Sequence, residues 1–308
     1  MATVSYKTLR CKTMNLRSQA RWLLMQTSNF FGMDSVALRF RRLRANSQAL
    51  VVAMHETPPS LQVQLHEQLQ WASQHFTITN LETFARLWSP HSQLDPDSKP
   101  LLLFTFDDGR ESNYSVAAPL LEAFGGRGVF FIVPAFAEKS DRQQALSFYR
   151  GRVNPDAPSP SLTEQHEDWK PMSPAQIADL SARGHAIGNH TATHARLQKL
   201  SPAELEREIG QSARTLASWT GKPIDAFAWT FGWDAIDREA WQVIRRCHQF
   251  CFSPCAGFID ATRDHPMLLW RREIEARYSP AAYRFCYSGL VDLWWAGRRK
   301  VLRTTLKV

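Results

Sequence analysis

The stretch LLLFTFDDG at residues 101–109 decides the fold class of this chain, because it joins a strand-like run to two aspartates and a glycine. A continuous apolar run of this length is typical of a parallel strand that is buried on both faces. Gly109 allows the tight turn that must follow such a strand. Active sites of parallel α/β proteins gather at the carboxyl ends of the strands, so we expect Asp107 and Asp108 to lie in one.

Strand and helix signals alternate on both sides of this segment. Further strands are predicted at residues 49–54, 129–133, 226–231, 250–253 and 267–270. Ser173 and Ser201 each mark the start of a helix, since a proline follows and Gln176 or Glu204 stands three residues further on. Repeated strand–helix units indicate a parallel α/β sheet, and this many units can close into a barrel.

Three segments depart from this alternation and divide the chain. Residues 1–46 form a basic extension, residues 47–288 form the main α/β domain, and residues 289–308 form a basic amphipathic tail. Within the domain, residues 137–171 are polar and rich in proline, which predicts a long inserted loop of the kind that covers functional sites. The tail predicts a helix that packs on the domain by its apolar stripe or lies on an anionic membrane.

Charge and cysteine content restrict the class of partner and compartment. A net charge of +8 favours an anionic partner, such as a nucleic acid, an anionic membrane surface or an acidic polysaccharide, although no recognised nucleic-acid motif is present. The five cysteines favour a reducing compartment, and the spacing of Cys247, Cys251 and Cys255 matches no standard metal cluster. No signal peptide or membrane span is evident. We therefore expect a cytoplasmic protein, peripheral at the inner face of the membrane.

The stretch GHAIGNHTATH at residues 184–194 supplies a second set of chemical groups. His190 and His194 are four residues apart, and on one helical turn this spacing brings both rings to the same face. Two imidazoles and one carboxylate make a three-ligand site with open positions, as in catalytic zinc centres. Non-haem iron oxygenases use the same set, but a second aspartate beside the ligand suits activation of water better.

Together, these two stretches resemble the first and second motifs of the NodB-homology polysaccharide deacetylases (carbohydrate esterase family four), particularly the exopolysaccharide and capsule type. The resemblance extends from the strand before His55 to about Ile274. It implies a deformed (β/α) barrel and metal-dependent hydrolysis of an acetyl group on a sugar or polysaccharide, an N-acetyl group in preference to an O-acetyl ester. The implied partner is an acetylated glycan or a lipid-linked glycan precursor.

The resemblance also implies the roles of the motif residues. Asp107 is the general base, and Asp108, His190 and His194 bind a divalent cation, Zn²⁺ in the first place, with Co, Ni or Fe as alternatives. Together these groups activate a water molecule and polarise the acetyl carbonyl.

Two further catalytic groups are expected near residues 268–274. The family places an arginine there that orients the base, and of Arg271 and Arg272 we prefer Arg272. The family's usual general acid, a histidine two residues after a leucine near the end of the domain, has no equivalent here. His265 is the first alternative, and His55, which is also expected to line the substrate site, is the second.

The third motif of the family is altered in this chain. Its equivalent is FAWTFG at residues 227–232, where Thr230 stands in place of the proline of exopolysaccharide-type relatives. Trp229, Phe231 and Trp233 are expected either to stack on sugar rings or to belong to the core. The altered motif and the missing acid favour an alternative function, a catalytically impaired relative that retains metal and binds glycan. The intact Asp107 opposes it, because a binding module does not need a base.

Overall fold

The computed structural model describes residues 32–42, 48–89, 99–155 and 169–308. Most of the predicted amino-terminal extension, including Cys11, lies outside the described residues, as do residues 156–168 of the predicted insertion. In the described part of the chain, no helix is both long enough and apolar enough to cross a bilayer.

A sheet of ten strands forms the centre of the protein. The strands are β1 (Gln48–Met54), β2 (Thr77–Ile78), β3 (Leu101–Phe106), β4 (Val129–Ile132), β5 (Ala186–Asn189), β6 (Ala226–Ala228), β7 (Phe250–Ser253), β8 (Ile259–Asp260), β9 (Leu269–Trp270) and β10 (Arg272–Glu273). Their order is β10-β1-β3-β4-β5-β6-β7-β9, with β2 beside β3 and β8 beside β1. Every pairing along this path is parallel, and only β8 runs antiparallel to its neighbour.

The sheet is nearly closed into a barrel by the segment that contains β9 and β10. β9 pairs with β7 at one end of the strand order, and β10 pairs with β1 at the other end. A single residue, Arg271, separates β9 from β10, so the chain passes from one edge of the sheet to the other without a turn. The prediction of a deformed (β/α) barrel is therefore confirmed.

Strand side chains alternate between the interior of the barrel and the surrounding helices. On β3, Leu102 and Phe104 belong to a core cluster shared with the helices, whereas Leu101 and Leu103 join a second cluster on the other face. The second face is the interior, because Phe131 of β4 belongs to it and contacts a ring of β7, which is not a neighbour of β4. When this alternation is continued past the end of β3, Asp107 falls on the interior side.

Helices cover the outside of the barrel. They are α1 (Met33–Arg42), α2 (Gln62–His75), α3 (Leu81–Ala85), α4 (Ala118–Ala123), α5 (Pro134–Ala137), α6 (Arg142–Phe148), α7 (Pro174–Ala182), α8 (Pro202–Leu205), α9 (Ser212–Thr220), α10 (Arg238–Cys247), α11 (Pro280–Ser288) and α12 (Ala296–Leu306). The capping boxes predicted at Ser173 and Ser201 are both formed, and they begin α7 and α8. Each satisfies backbone N–H groups that the first helical turn leaves without partners.

The described part of the predicted insertion is not a long loop. Asp141 caps α6 by accepting a hydrogen bond from the backbone N–H of Gln144, and a π-helical turn (Tyr149–Val153) follows directly. Tyr149 is buried in a small separate core cluster with Phe136 of α5 and Trp169. This packing anchors the insertion on the barrel, and its polar composition concealed the helix.

The carboxy-terminal tail also packs on the barrel. A 3-10 helix (Leu290–Trp295) leads into α12, whose Leu302 and Leu306 are buried in the second core cluster together with Trp241 of α10. The apolar stripe seen in the sequence is thus used for packing on the domain. Of the cysteines spaced four residues apart, Cys251 and Cys255 are buried free thiols.

Candidate metal centre and active site

Asp107 and Asp108 follow β3 and point to different partners because the chain turns sharply between them. Asp108 and Gly109 both have a φ of 74°, in the left-handed region. A Cβ atom at Gly109 would lie 3.1 Å from Cδ1 of Ile132, so conformation and space both favour glycine there. The turn leaves Asp107 facing β10 and sends Asp108 toward the loop after β5.

Asp108, His190 and His194 bring one oxygen and two nitrogens together in a buried cluster, with all ligand atoms within 4.8 Å of one another. Oδ1 of Asp108 lies 3.8 Å from Nε2 of His190 and 3.6 Å from Nε2 of His194. His190 donates its Nδ1–H to the Ala228 carbonyl at 2.9 Å, and His194 donates to the Arg152 carbonyl at 2.8 Å. These bonds fix the tautomers, so both Nε2 lone pairs face Asp108, as in metal sites.

The protonation states of the cluster fit a divalent cation. Burial lowers the pKa of His190, and it lowers the pKa of His194 to about 4, so both rings are neutral at neutral pH. Burial alone would raise the pKa of Asp108, but the charges of Arg110 and of protonated His55 outweigh it and hold that pKa well below the usual range. Neutral imidazoles and an ionised carboxylate are the forms that bind metal. Their number and type suit a catalytic site with open positions.

Arg110 donates hydrogen bonds to the second carboxylate oxygen of Asp108, Oδ2. Its Nη2 and Nε donate to Oδ2 at 2.9 and 3.2 Å, and its guanidinium lies 5.2 Å from the centroid of the Tyr149 ring. This pairing leaves Oδ1 for the two histidines and fixes the carboxylate plane. Sequence reasoning missed Arg110, whose only signal is its position directly after the aspartate–glycine turn.

The two histidines are not on a helix, so the spacing argument made from the sequence was wrong in its geometry. His190 directly follows β5, and His194 lies in the loop beyond it. Thr191 and His194 have φ values of 63° and 56°, and Asn189 Oδ1 accepts from the N–H of Thr191 at 3.0 Å. A left-handed conformation costs a non-glycine residue roughly 1–2 kcal/mol, and such strain is concentrated at functional sites.

Arg271, and not the preferred Arg272, contacts the predicted base. Nη1 of Arg271 donates to Oδ1 of Asp107 at 2.6 Å. Arg272 points to the other side of the strand, where it forms an ion pair with Asp292 and donates to the Cys286 carbonyl at 2.7 Å. Because neighbouring residues of a strand face opposite sides, only one of two consecutive arginines reaches the interior. The assignment of Arg272 as the residue that orients the base is therefore wrong.

Charges around Asp107 keep its carboxylate ionised. Burial alone would raise the pKa of Asp107, but the charge of Arg271, the charge of His55 and the hydrogen bond from Arg271 lower it. An ionised carboxylate with one oxygen held by a guanidinium is able to accept a proton on the other.

His55 lies beside Asp107 and carries a proton. It follows β1, with its Nε2 3.7 Å from Oδ2 of Asp107 and its Nδ1 2.8 Å from Oε1 of Glu275. Burial alone would lower the pKa of His55, but the hydrogen bond and charge of Glu275 together with the charge of Asp107 raise it to about 10. Glu275 also accepts hydrogen bonds from the backbone N–H groups of His55 and Glu56, each at 3.2 Å, which fixes its carboxylate.

His265 is not part of this site. It lies in the turn that precedes β9, whereas the site is built at the carboxyl ends of the strands. Its Nδ1 accepts a hydrogen bond from the backbone N–H of Met267 at 3.1 Å. The expectation that its loop opens onto the catalytic end of the barrel is wrong, because that loop enters a strand instead of leaving one.

The aromatic residues of the altered third motif fall into two groups. Trp229 is only 2% exposed and belongs to the core, so it is not available to a sugar. Phe231 packs against His194 with the ring centroids 4.7 Å apart, and Trp233 is half-buried. Thr230 donates from its hydroxyl to the Ala195 carbonyl at 2.7 Å, which ties this loop to the one that carries His194.

Comparisons with known proteins place the chain among deacetylases. No protein of curated function matches the sequence. A polysaccharide deacetylase from Bacillus cereus is 17% identical over 78% of this chain and 68% of its own, with a TM-score of 0.56. The deacetylase PplD from Streptococcus pyogenes, solved with acetate, is 17% identical over 78% and 97%, with a TM-score of 0.59. IcaB from Ammonifex degensii is 17% identical over 77% and 97%, with a TM-score of 0.55.

At this identity, the structural likenesses demonstrate a shared fold. The sequence itself carries the family assignment, since a profile described as polysaccharide deacetylase matches residues 95–249, half of the chain, including Asp107, Asp108, His190 and His194. The chain belongs to the polysaccharide deacetylase family.

Proposed function

We propose that the protein hydrolyses N-acetyl groups on the sugar residues of a glycan in a metal-dependent reaction. The observation that carries this proposal is the placement of an ionised Asp107 between Arg271 and a protonated His55, beside the Asp108–His190–His194 cluster. Hydrolysis of an amide needs a base for the attacking water and an acid for the leaving nitrogen.

Asp108, His190 and His194 would hold the cation. Zn²⁺ suits this set best, and Co, Ni and Fe accept the same ligands. When bound, such a cation lowers the pKa of a water molecule and polarises the acetyl carbonyl. Arg110 keeps the Asp108 carboxylate in one orientation, with Oδ1 toward the histidines.

Asp107 and His55 would carry the two proton transfers. Asp107 takes a proton from the attacking water on Oδ2, because Oδ1 is held by Arg271. His55 gives the proton on Nε2 to the leaving group, while Glu275 holds the opposite nitrogen of the ring. Transfers of this kind typically contribute about 10²–10⁴-fold each.

The retained proton on His55 favours an amide over an ester substrate. An amine leaves only after its nitrogen has been protonated, whereas an alkoxide leaves more readily without full protonation. A histidine whose pKa is raised to about 10 still carries its proton at neutral pH. In this proposal His55, the second alternative from the sequence, replaces the family's usual general acid, which removes one argument for a catalytically impaired, glycan-binding relative.

The proposed substrate is an acetylated glycan or a lipid-linked glycan precursor. The family assignment supports a polysaccharide, and the net charge of +8 suits an acidic polymer or an anionic membrane surface. Under this proposal the reaction takes place in the cytoplasm or at the inner face of the membrane.

Acetate release from a defined panel tests the proposal. N-acetylated and O-acetylated oligosaccharides of equal length are incubated with chelated protein and with chelated protein to which Zn²⁺, Co²⁺, Ni²⁺ or Fe²⁺ has been restored. We expect acetate from the N-acetylated members, with activity that depends on the restored metal. Acetate from O-acetyl esters alone, or turnover that survives full chelation, contradicts the proposal.

A further inference from the structure

A stack of aromatic rings and arginines begins at the metal cluster. The ring of Phe231 contacts the ring of His194, and the guanidinium carbon of Arg196 lies 4.2 Å from the centroid of Phe231. Phe231 has a φ of 63°, an unfavourable conformation for an aromatic residue. The surrounding loop therefore holds this ring beside the metal ligand at a cost in free energy, which points to a use for its position.

A second stack joins the same loop to the carboxy-terminal segment. The guanidinium carbon of Arg298 lies 5.5 Å from the centroid of Trp233 and 4.7 Å from the centroid of Trp295. Trp233 stands two residues after Phe231, whereas Trp295 and Arg298 belong to the 3-10 helix and α12. All three side chains are half-buried, so each keeps part of its surface open to solvent. The tail thereby adds a second aromatic stack to the loop that carries Phe231.

Within the described residues, the two stacked arginines have no ion-pair partner. Across residues 32–42, 48–89, 99–155 and 169–308, no carboxylate forms an ion pair with Arg196 or Arg298. Arg303, on the same helix as Arg298, contacts the Asp264 carboxylate at 2.5 Å. When the face of a guanidinium stacks on a ring, the N–H groups at its edge stay available for hydrogen bonds. Two of these N–H groups can bind the two oxygens of one carboxylate.

We propose that Phe231, Trp233, Trp295, Arg196 and Arg298 form an extended subsite for an anionic glycan whose sugar residues carry carboxylates. This inference rests on the proposed function, because it names the class of glycan that the deacetylase site would receive. The aromatic rings pack against the apolar faces of successive sugar rings, and the two guanidinium edges bind their carboxylates. The net charge of +8 attracts such a polymer over a longer range.

An anionic lipid surface would use the same chemical groups and is the competing partner. The first stack is in contact with His194, a predicted metal ligand, and the second, which begins two residues further along the same loop, reaches α12. A stack in contact with the catalytic groups suits a glycan chain bound through the site, whereas a membrane patch has no need to touch them. The glycan is therefore the partner that the contacts favour.

Binding of non-acetylated probes separates this inference from the proposed catalysis. Calorimetry measures the affinity of the full, metal-loaded chain for an oligogalacturonate hexamer and for neutral cellohexaose, neither of which carries an acetyl group. The double variant Arg196→Gln, Arg298→Gln removes both guanidinium groups. Lys300→Gln is the matched control, because it removes an exposed charge from α12 that belongs to neither stack.

We expect the parent protein to bind the oligogalacturonate and the double variant to bind it at least about tenfold more weakly, with a smaller dependence on salt. Lys300→Gln should bind it like the parent, and all three proteins should bind the neutral hexamer alike. When Arg298→Lys replaces Arg298→Gln in the double variant, only part of the lost oligogalacturonate affinity should return. Lysine restores the charge without the planar guanidinium group.

Three results would overturn the inference. The first is that the parent protein fails to bind the oligogalacturonate, and the second is that the double variant binds it as tightly as the parent. The third is that Lys300→Gln weakens this binding as much as the double variant does. Vesicles of phosphatidylglycerol provide the other arm of the test. Loss of vesicle binding in the double variant, with no binding of the oligogalacturonate by the parent, would assign the stacks to a membrane. The probe carries no acetyl group, so failure of deacetylation would leave this result unchanged.

Discussion

Arg271 donates a 2.6 Å hydrogen bond to Asp107, while the adjacent Arg272 pairs with Asp292 on the opposite side of β10. Two residues of identical chemistry are thus separated by the alternation of backbone direction, one beside the proposed base Asp107 and the other in a structural ion pair. The contrast gives a direct way to test the two positions against each other.

Arg271→Gln should reduce the kcat of the folded protein by roughly 10²-fold, because Asp107 loses the group that positions its carboxylate. It should also raise the pKa of Asp107, since the charge that lowers it has been removed. A base must be ionised to act, so the acidic limb of the pH–rate profile should move to higher pH. Steady-state kinetics across the acidic range measures both effects.

Arg272→Gln is the matched change and should lower the free energy of unfolding. It removes the ion-pair partner of the buried Asp292, and breaking a buried pair typically costs about 3–5 kcal/mol. Denaturant unfolding of both variants is the measurement. If Arg271→Gln unfolds more readily than Arg272→Gln while retaining full activity when folded, the two roles are reversed.

Glu275→Gln should move the alkaline limb of activity to lower pH. Burial opposes the charge on His55, and Glu275 is the main group that raises its pKa to about 10, so removing the carboxylate lowers that pKa. A general acid acts while protonated, so activity is present below its pKa and is lost as the pH rises through it. Profiles of kcat at equal metal content should differ on the alkaline side. An unchanged limb would exclude control of the acid by Glu275.

His55→Gln and His265→Ala distinguish the two histidines that the sequence left open as the general acid. His55→Gln should lose about 10²–10⁴-fold in kcat and abolish the alkaline limb, because it removes the proton donor beside Asp107. His265→Ala should keep both, since His265 precedes β9 at the other end of the strands. A loss of the limb in His265→Ala, with the limb retained in His55→Gln, would reverse the assignment made from the structure.

The residues at 101–109 were interpreted correctly because the physical signals agreed there. β3 has the predicted bounds, and alternation along it places Asp107 in the interior. The same reasoning could not tell which of Arg271 and Arg272 faces the barrel interior. In β9 and β10 this depends on how the barrel closes. Strands of two residues are too short for an alternating pattern in the sequence to show which side each residue faces. Glu275 was missed for the same reason, since it shares a side with Arg271.

The loop that carries His194 was unpredictable for a different reason. Its course depends on left-handed residues and on contacts from distant parts of the chain, such as the Arg152 carbonyl and the Thr230 hydroxyl. The histidine spacing therefore singled out the two rings that lie beside Asp108 but gave the wrong local structure. Trp229 shows a similar limit, because an aromatic residue in a motif gives no sign of which face it occupies.

Gly188→Ala should lower stability and metal affinity together. A Cβ atom there would lie 2.3 Å from Cδ1 of Phe131, so β5 must shift, and β5 leads directly into His190. Overpacking of this kind typically costs about 1–3 kcal/mol. Gly151→Ala is the control, since a Cβ atom there meets nothing within 4 Å. Thermal unfolding and metal titration measure the two effects, and equal behaviour of the two variants would contradict the packing argument.

The division of labour between the two adjacent aspartates gives the most direct test of the proposed chemistry. The measurement is metal content by elemental analysis together with acetate release from an N-acetylated oligosaccharide, for the parent, Asp107→Asn and Asp108→Asn. We predict that Asp107→Asn retains metal but loses about 10²–10⁴-fold in turnover, since it removes only the base. Asp108→Asn should lose metal affinity as well, because it removes a ligand charge from the cluster. Full turnover in Asp107→Asn, or full metal content and turnover in Asp108→Asn, would contradict a metal-dependent deacetylase built on these residues.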